Sequence, residues 1–312
     1  MGSPLEVIAP LEYMINNING LDLVAIVSQP ARKMGRGKKL TDPAIAAYGK
    51  ENGIKTLQPQ KASDADFLDQ LSALEPDLII TAAYGQILSE KFLAIPTRGT
   101  INIHPSLLPT YRGATPVQAA LLNGDNKTGV SILFTVKKMD AGNIITQNIF
   151  DISPAETTGQ LLKRMFEESG PMLAETYQLL MNTNFRGTPQ NEIEVIHCKK
   201  IQKEDGFVNF QKPASTIYNQ YRGLSPWPGT YGFLAGMRVS YEELVQAESN
   251  SLSTGEFRYD KKSKLIVVGT ASNDIGISRL KPAGRKSIDA TSFWNGLKDK
   301  ENLRFDEREP TK

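Results

Sequence analysis

Cysteine and histidine are scarce in this chain, whose 312 residues include one cysteine, Cys198, and two histidines. A single cysteine excludes an intramolecular disulfide, and so few soft ligands exclude a cysteine-rich zinc site. The missing disulfides favour a reducing compartment, and we expect the bacterial cytoplasm, with an organellar matrix as the alternative. No apolar run approaches the roughly 18 residues that a membrane span needs, and the first residues lack the basic start of a signal peptide. We therefore expect no membrane association.

An excess of charge of either sign is also missing. The chain carries 36 basic and 34 acidic residues, a net charge of +2. Any contact with nucleic acid must therefore come from a local basic patch, and not from the molecule as a whole. The hydrophobic fraction of 40% is typical of a folded globular protein. At roughly 150 residues per domain, the length predicts about two domains.

Strand and helix patterns alternate through the first part of the chain. Residues 21–28, 77–83 and 100–103 are short apolar runs typical of buried strands, and residues 64–74 have helical spacing. A strand pair around a short loop and a long helix near 157–180 follow. This order predicts an α/β fold with a doubly wound, mainly parallel sheet.

Short strands and turns dominate the last third of the chain. Residues 185–197 show little periodicity and are predicted to be a linker, and the short apolar runs that follow predict a small C-terminal β-barrel. The domain boundaries predicted from this change of pattern are 1–184, 185–197 and 198–312.

The segment INIHPSLLP, residues 101–109, ends an apolar run on one of the two histidines. Asn102 and His104 are two residues apart on a strand and therefore point to the same side of the sheet. Pro105 ends the strand, and ligands of open α/β sheets bind at the carboxyl ends of strands. Read from this segment alone, a structural histidine explains the pattern as well as a catalytic one. His197 has no such partner pattern, and we expect a surface or packing role for it.

Asp140 lies in the short loop MDAG, where aspartate and glycine are ordinary turn residues. A neutral imidazole, however, needs a partner that sets its tautomer, and a carboxylate is a common one. Asn102, His104 and Asp140 together could stabilise an oxyanion and move a proton.

A run without acidic residues, QPARKMGRGKKL, follows the first predicted strand, and Gly35 and Gly37 are expected to make it a flexible loop. Its basic residues are Arg32, Lys33, Arg36, Lys38 and Lys39. A solvated loop is the ordinary interpretation of such a run. At the edge of a binding pocket, the same run would suit a partner rich in phosphate.

These segments resemble the folate-dependent formyltransferases over nearly the whole chain. The central block INIHPSLLPTYRGATPVQAALLNGDNKTGVSI with MDAGNI is similar to the whole family, which has a Rossmann-like catalytic domain. The basic run and RGLSPWPGTY are similar to the members that formylate a charged tRNA.

The resemblance implies a role for each segment. Asn102, His104 and Asp140 match the catalytic trio of the family, and Ser106, Leu107, Leu108 and Pro109 match its folate-binding signature. The basic residues around Arg36 match the loop that holds the acceptor end of initiator Met-tRNA, and the barrel after Cys198 matches the OB-like domain that holds the tRNA shaft.

The reaction implied by the resemblance is transfer of the formyl group of 10-formyltetrahydrofolate to the α-amine of methionine on initiator Met-tRNA, by a monomer without a metal. An enzyme that formylates an amino sugar or glycinamide ribonucleotide is one alternative. A catalytically inactive RNA-binding homologue is the other.

The chain departs from the family at its start. Members of the family begin with a short apolar strand, whereas here Met1 and Gly2 are followed directly by Ser3 and Glu6 in the pattern of a capping box. That strand is central in the family's sheet. Its absence predicts unpaired backbone groups and an open hydrophobic slot.

Overall fold

The computed structural model describes residues 1–34, 37–247, 249–301 and 303–306 of the chain. They form two compact units. The first unit consists of Met1–Pro116, Lys127–Asp151 and Leu161–Lys199, and the second of Val117–Asn126, Ile152–Gln160 and the described residues from Lys200 onward. Residues 185–197, predicted to be a linker, thus lie in the first unit.

Helices and short strands alternate along the chain. The helices are α1 (Ile8–Asn17), α2 (Ala44–Glu51), α3 (Ala65–Ser72), α4 (Glu90–Leu93), α5 (Pro116–Asn123), α6 (Thr158–Asn182), α7 (Ala214–Leu224) and α8 (Ala290–Asn295). The strands up to residue 199 are β1 (Ile26–Val27), β2 (Arg32–Met34), β3 (Lys39–Thr41), β4 (Thr56–Leu57), β5 (Ile79–Thr81), β6 (Thr100–His104), β7 (Arg112–Gly113), β8 (Lys127–Phe134), β9 (Ile144–Asp151) and β10 (His197–Cys198). No helix within the described ranges is both long enough and apolar enough to cross a bilayer.

The first unit has the mixed α/β architecture of a Rossmann-like domain. Strand β1 pairs with β4 in parallel, and a second sheet has the order β5-β6-β8-β9. The pair β5–β6 is parallel, whereas β8 and β9 form an antiparallel hairpin against β6. Residues Ile101, Ile103 and Ile132 of this sheet are at most 2% exposed. The continuous apolar runs of β6 and β8 are explained by this burial.

Strands β1 and β5 are shorter than the apolar runs that predicted them, and Met1 and Gly2 bond to the residues at their carboxyl ends. The Gly2 N–H donates to the Val27 carbonyl, and the Ala82 N–H donates to the Met1 carbonyl. Beside Met1 lies a cavity of about 420 Å³, bordered by residues 20–27 and 74–80.

The predicted capping box at Ser3 and Glu6 is wrong. Pro4, not Ser3, precedes the single 3₁₀ turn that leads into α1, and no side chain caps that turn. The Ser3 hydroxyl instead accepts a hydrogen bond from the Gln29 N–H at 3.4 Å. Ser3 thereby connects the N-terminal segment to the residues just after β1.

The second unit contains an antiparallel sheet closed into the predicted barrel. Its strands are β11 (Thr230–Leu234), β12 (Met237–Gln246), β13 (Phe257–Asp260), β14 (Leu265–Gly269), β15 (Asp274–Pro282) and β16 (Ile288–Asp289). The order is β11-β12-β15-β14-β13, and β16 also pairs with β15. Residues 303–306 bond to both outer strands: the Phe257 N–H donates to the Leu303 carbonyl, and the Asp306 N–H donates to the Phe233 carbonyl.

Candidate active site

His104 is the last residue of β6, as its sequence position before Pro105 predicted. Asn102 lies two residues earlier, opposite Thr81 of β5. The Thr81 hydroxyl lies 2.9 Å from Asn102 Oδ1 and 3.0 Å from the Ile101 carbonyl oxygen, and its hydrogen is shared between these two acceptors. With Oδ1 on the side of Thr81, Nδ2 is the donor that Asn102 can offer to a ligand.

The His104 ring is 5% exposed, and a backbone carbonyl sets its tautomer. Nε2 lies 3.0 Å from the Tyr111 carbonyl oxygen, so in the neutral ring Nε2 carries the hydrogen and Nδ1 is the acceptor. Nδ1 lies 3.7 Å from Asp140 Oδ1, beyond the range of a direct hydrogen bond. The sequence had suggested a carboxylate for the tautomer-setting role; Asp140 instead lies beside the free nitrogen of the ring.

The loop that carries Asp140 passes very close to neighbouring backbone. Asp140 has φ +52°, in the left-handed region that non-glycine residues seldom adopt. A Cβ at Gly142 would collide with the Phe134 carbonyl, which explains the glycine of the MDAG motif. Asp140 Oδ2 accepts a hydrogen bond from the Gly113 N–H at 2.9 Å. One carboxylate oxygen is thus held by β7, while the other faces His104.

Gln190 and Arg112 also surround this loop, and the sequence analysis missed both. Gln190 Nε2 donates to the carbonyls of Asp140, at 2.8 Å, and Gly142, at 2.7 Å. Gln190 Oε1 accepts from Arg112 Nε, at 2.9 Å, and Arg112 Nη2, at 2.8 Å. The available signal was Arg112 inside the quoted central block, but its glutamine partner lies 78 residues away, in the predicted linker.

Arg112 is fully buried and paired with a carboxylate. Its Nη2 lies 2.8 Å from Glu192 Oε1, and Lys138 Nζ contacts the other oxygen of the same carboxylate. The hydrogen bond from Arg112, and after it the one from Lys138, lowers the pKa of Glu192 to about 2. The carboxylate of Glu192 therefore stays ionised under all ordinary conditions and balances the buried guanidinium.

The four residues predicted to bind folate form the turn that follows His104. Ser106 and Leu108 are buried, and the Ser106 hydroxyl donates to the Thr110 carbonyl at 2.7 Å. Leu107 and Pro109 are partly exposed. Of this signature, Ser106 and Leu108 therefore maintain the turn, and the surface available to a ligand belongs to the other two residues.

The predicted flexible basic loop is an antiparallel hairpin at its base, where β2 pairs with β3. Arg32, Lys33, Lys38 and Lys39 are exposed, whereas Arg36 and Gly35 lie outside the described residues. The pairing of Arg32 with Thr41 and Lys33 with Leu40 explains why the run is not an irregular loop. The hairpin begins at Arg32, beyond the carboxyl end of β1.

The remaining candidate ligands do not converge. His197 is exposed on β10, whose neighbour Cys198 pairs with Gly113 of β7. Within the residues that the structure describes, no three histidine, cysteine, aspartate or glutamate side chains gather as a metal site would require.

Comparison with known proteins identifies relatives for both units. Residues 6–176 match the family model described as formyl transferase, and residues 200–298 match the model for the formyl transferase C-terminal domain. The methionyl-tRNA formyltransferase of Bacillus cytotoxicus is 37% identical over 300 residues, which cover 96% of this chain and 95% of that protein.

Two solved structures share the fold at low sequence identity. The sugar 3N-formyl transferase WlaRD, crystallised in the presence of dTDP and 5-N-formyl-THF, aligns with a TM-score of 0.66 at 17% identity, covering 91% of this chain and 97% of that one. HypX from Aquifex aeolicus, in complex with tetrahydrofolic acid, aligns at 0.62 and 16% identity over 87% of this chain. The alignment covers 47% of the length of HypX, so this chain spans about half of that protein.

Proposed function

The chain belongs to the formyl transferase family, and from that premise we propose that it transfers the formyl group of 10-formyltetrahydrofolate to the α-amine of methionine on initiator Met-tRNA. It is therefore an enzyme of translation initiation, with the activity of a methionyl-tRNA formyltransferase. The observation that carries the proposal is that Asp140 Oδ1 lies 3.7 Å from His104 Nδ1, at the end of the strand that also carries Asn102, in a chain similar to such an enzyme over 96% of its length.

The chemistry is direct acyl transfer. The folate supplies the formyl group, the amine nitrogen forms a bond to the formyl carbon, and the bond from that carbon to the folate nitrogen breaks. Asn102 Nδ2 donates a hydrogen bond to the oxygen of the tetrahedral intermediate. One such donor is typically worth about 3–4 kcal/mol in the transition state.

Proton transfer is assigned to the free nitrogen of His104. Because the Tyr111 carbonyl holds the hydrogen on Nε2, Nδ1 accepts the proton of the attacking amine and delivers it to the departing folate nitrogen. Asp140, 3.7 Å from Nδ1, stabilises the imidazolium that forms in between. A positioned acid–base group of this kind contributes about 10²–10⁴ in rate.

Substrate contacts are assigned to the surfaces beside this trio. Leu107 and Pro109, on the turn held by Ser106 and Leu108, contact the folate. The basic side chains of the hairpin contact the phosphates of the tRNA acceptor end, supported by their exposure and by the absence of acidic residues in this run. The exposed side chains are Arg32, Lys33, Lys38 and Lys39. Arg36, which lies outside the described residues, is assigned the same contact from the sequence alone. The barrel binds the tRNA shaft.

The working form that we propose is a monomer in the bacterial cytoplasm. Asn102, His104 and Asp140 all come from one chain, so catalysis requires no second copy.

The deciding experiment offers labelled 10-formyltetrahydrofolate with charged initiator Met-tRNA as the acceptor. Free methionine, an amino-sugar nucleotide and glycinamide ribonucleotide serve as competing acceptors. We expect formyl transfer to Met-tRNA alone. Faster transfer to the amino sugar or the ribonucleotide would contradict the proposal, and so would the absence of transfer to any acceptor, which is the result expected of an inactive RNA-binding homologue.

A further inference from the structure

We propose that Gln190 is a positioning residue of this active site, which acts on catalysis by holding Asp140. The inference rests on the proposed function, because it concerns the same site. Gln190 lies in the segment predicted to be a linker, 50 residues along the chain from Asp140. Its hydrogen bonds among the described residues go to Arg112, Asp140 and Gly142.

The amide of Gln190 bridges the loop around Asp140. Both of its N–H groups are used, one on the carbonyl of Asp140 and one on the carbonyl of Gly142. These carbonyls flank Ala141, so the two bonds fix the backbone on both sides of the turn. Asp140 has a left-handed backbone conformation that is unfavourable for this residue type, and such a conformation persists only where the surroundings impose it.

Arg112 determines which way the Gln190 amide points. Its Nε and Nη2 both donate to Gln190 Oε1, so a flipped amide would place donors against donors. Arg112 is in turn held by Glu192 and buried. The next residue, Gly113, donates its N–H to Asp140 Oδ2. Strand β7 thus holds the Asp140 carboxylate directly and the Asp140 backbone through Gln190.

The bonds to this loop determine where Asp140 Oδ1 lies relative to His104. This oxygen lies 3.7 Å from His104 Nδ1, and that separation is set by the loop, because no direct hydrogen bond joins the two groups. Since both Gln190 N–H groups are already used within the chain, Gln190 offers no donor to a substrate. Its effect on the reaction must pass through Asp140.

Two variants separate the bonds of Gln190. Gln190→Glu keeps an oxygen for Arg112 but replaces the two donations to the loop with repulsion between oxygens. Gln190→Met keeps the length of the side chain and removes every hydrogen bond. The matched control is Gln220→Met in the second unit, where Gln220 Nε2 likewise donates to two carbonyls, those of Asp205 and Phe207.

We expect Gln190→Glu to lower kcat about tenfold or more, with the KM values for folate and tRNA changed less than about threefold. Gln220→Met, which removes two donated hydrogen bonds in the second unit, should lower the melting temperature without a fall in kcat. Gln190→Glu remains informative if Gln190→Met fails to fold. Wild-type kcat in both Gln190 variants would overturn the proposal.

A double-mutant cycle tests the route of the effect. In an Asp140→Ala background, Gln190→Glu should lower the single-turnover rate no further, because the residue through which it acts is already gone. An equal fall in both backgrounds would overturn the positioning role.

A spectroscopic measurement keeps this inference separate from the proposed function. The chain has two histidines, so the imidazole NMR signals of the histidine-labelled protein are simple to assign. Gln190→Glu should shift the signals of His104 and leave those of exposed His197 in place. Failure of the wild-type chain to formylate Met-tRNA would refute the proposed function, whereas unshifted His104 signals would refute the role of Gln190.

Discussion

Two regions of the first unit differ sharply in how completely their polar groups are paired. Around Asp140, the backbone and carboxylate are bonded from β7, from Gln190 and, through Gln190, from a buried arginine. Between β1 and β5, by contrast, Met1 and Gly2 fill only part of a gap that continues into a cavity of about 420 Å³. The first region indicates rigid positioning for chemistry. In the second, apolar side chains that filled the cavity would raise the free energy of unfolding.

An ionisable group also lies at this gap. The α-amine of Met1 donates a hydrogen bond to the Ile80 carbonyl at 2.5 Å in a partly buried position. Burial lowers the pKa of this amine from 8.0 to about 5. The active site pairs its buried guanidinium, Arg112, with the Glu192 carboxylate, whereas the Met1 amine contacts a neutral backbone carbonyl.

The largest effect is expected from filling the gap. We predict that four apolar, β-branched residues placed before Met1 extend the segment in parallel between β1 and β5, cover the cavity and replace the buried amine with a peptide N–H. The expected gain in unfolding free energy is several kcal/mol, on the basis of roughly 1.5 kcal/mol or more for each apolar side chain buried. Thermal unfolding measures it.

The control for this extension is a Gly-Ser segment of equal length, which also removes the free amine at Met1 but buries no apolar surface. Equal melting temperatures for the two extended chains would show that the slot does not accept an apolar strand.

The next effect is the pH dependence of stability in the chain that starts at Met1. The folded-state pKa of about 5 lies below the unfolded value of 8.0, so the unfolded chain binds more protons between these values. Stability should therefore fall as the pH is lowered from 8 to 5, by about 4 kcal/mol at most.

Glu192 does not contribute to the change between pH 5 and 8, because its pKa is lowered from 4.5 to about 2, below this range. Denaturant unfolding at a series of pH values checks this, and an identical profile in the chain with the Gly-Ser extension would contradict it.

His104→Ala is predicted to lower kcat at least about 10²-fold, because the group that moves the proton is lost. The binding of tRNA should stay nearly unchanged, since the ring is 5% exposed and contacts the Tyr111 carbonyl. Steady-state kinetics and a tRNA-binding titration on the same preparation check both statements. Wild-type turnover would remove His104 from the mechanism and leave it a structural residue, the alternative that its sequence pattern also allowed.

The contrast between the two regions also explains what could be predicted from the sequence. His104 and Asn102 were located from a local pattern, a strand that ends at a proline. Tyr111 could not be found in this way, since it acts through a backbone carbonyl that any residue type would supply. Gln190 could not be found either, because its role depends on contacts with residues 48 to 78 positions away.

The smallest effect is expected at the hairpin, which lies outside both regions of this comparison. Lys33→Ala and Lys39→Ala should each weaken tRNA binding by a few-fold and reduce the slope of log K against log salt by about one, because each side chain contributes one phosphate contact. The kcat at saturating tRNA should not change, since neither lysine belongs to the trio. Lys55→Ala changes the net charge equally and is the matched comparison, because exposed Lys55 precedes β4 in the first unit, outside both the hairpin and the barrel. A salt slope reduced as much by Lys55→Ala would mean that tRNA responds to the overall charge of the protein, and the hairpin would then lose its specific role.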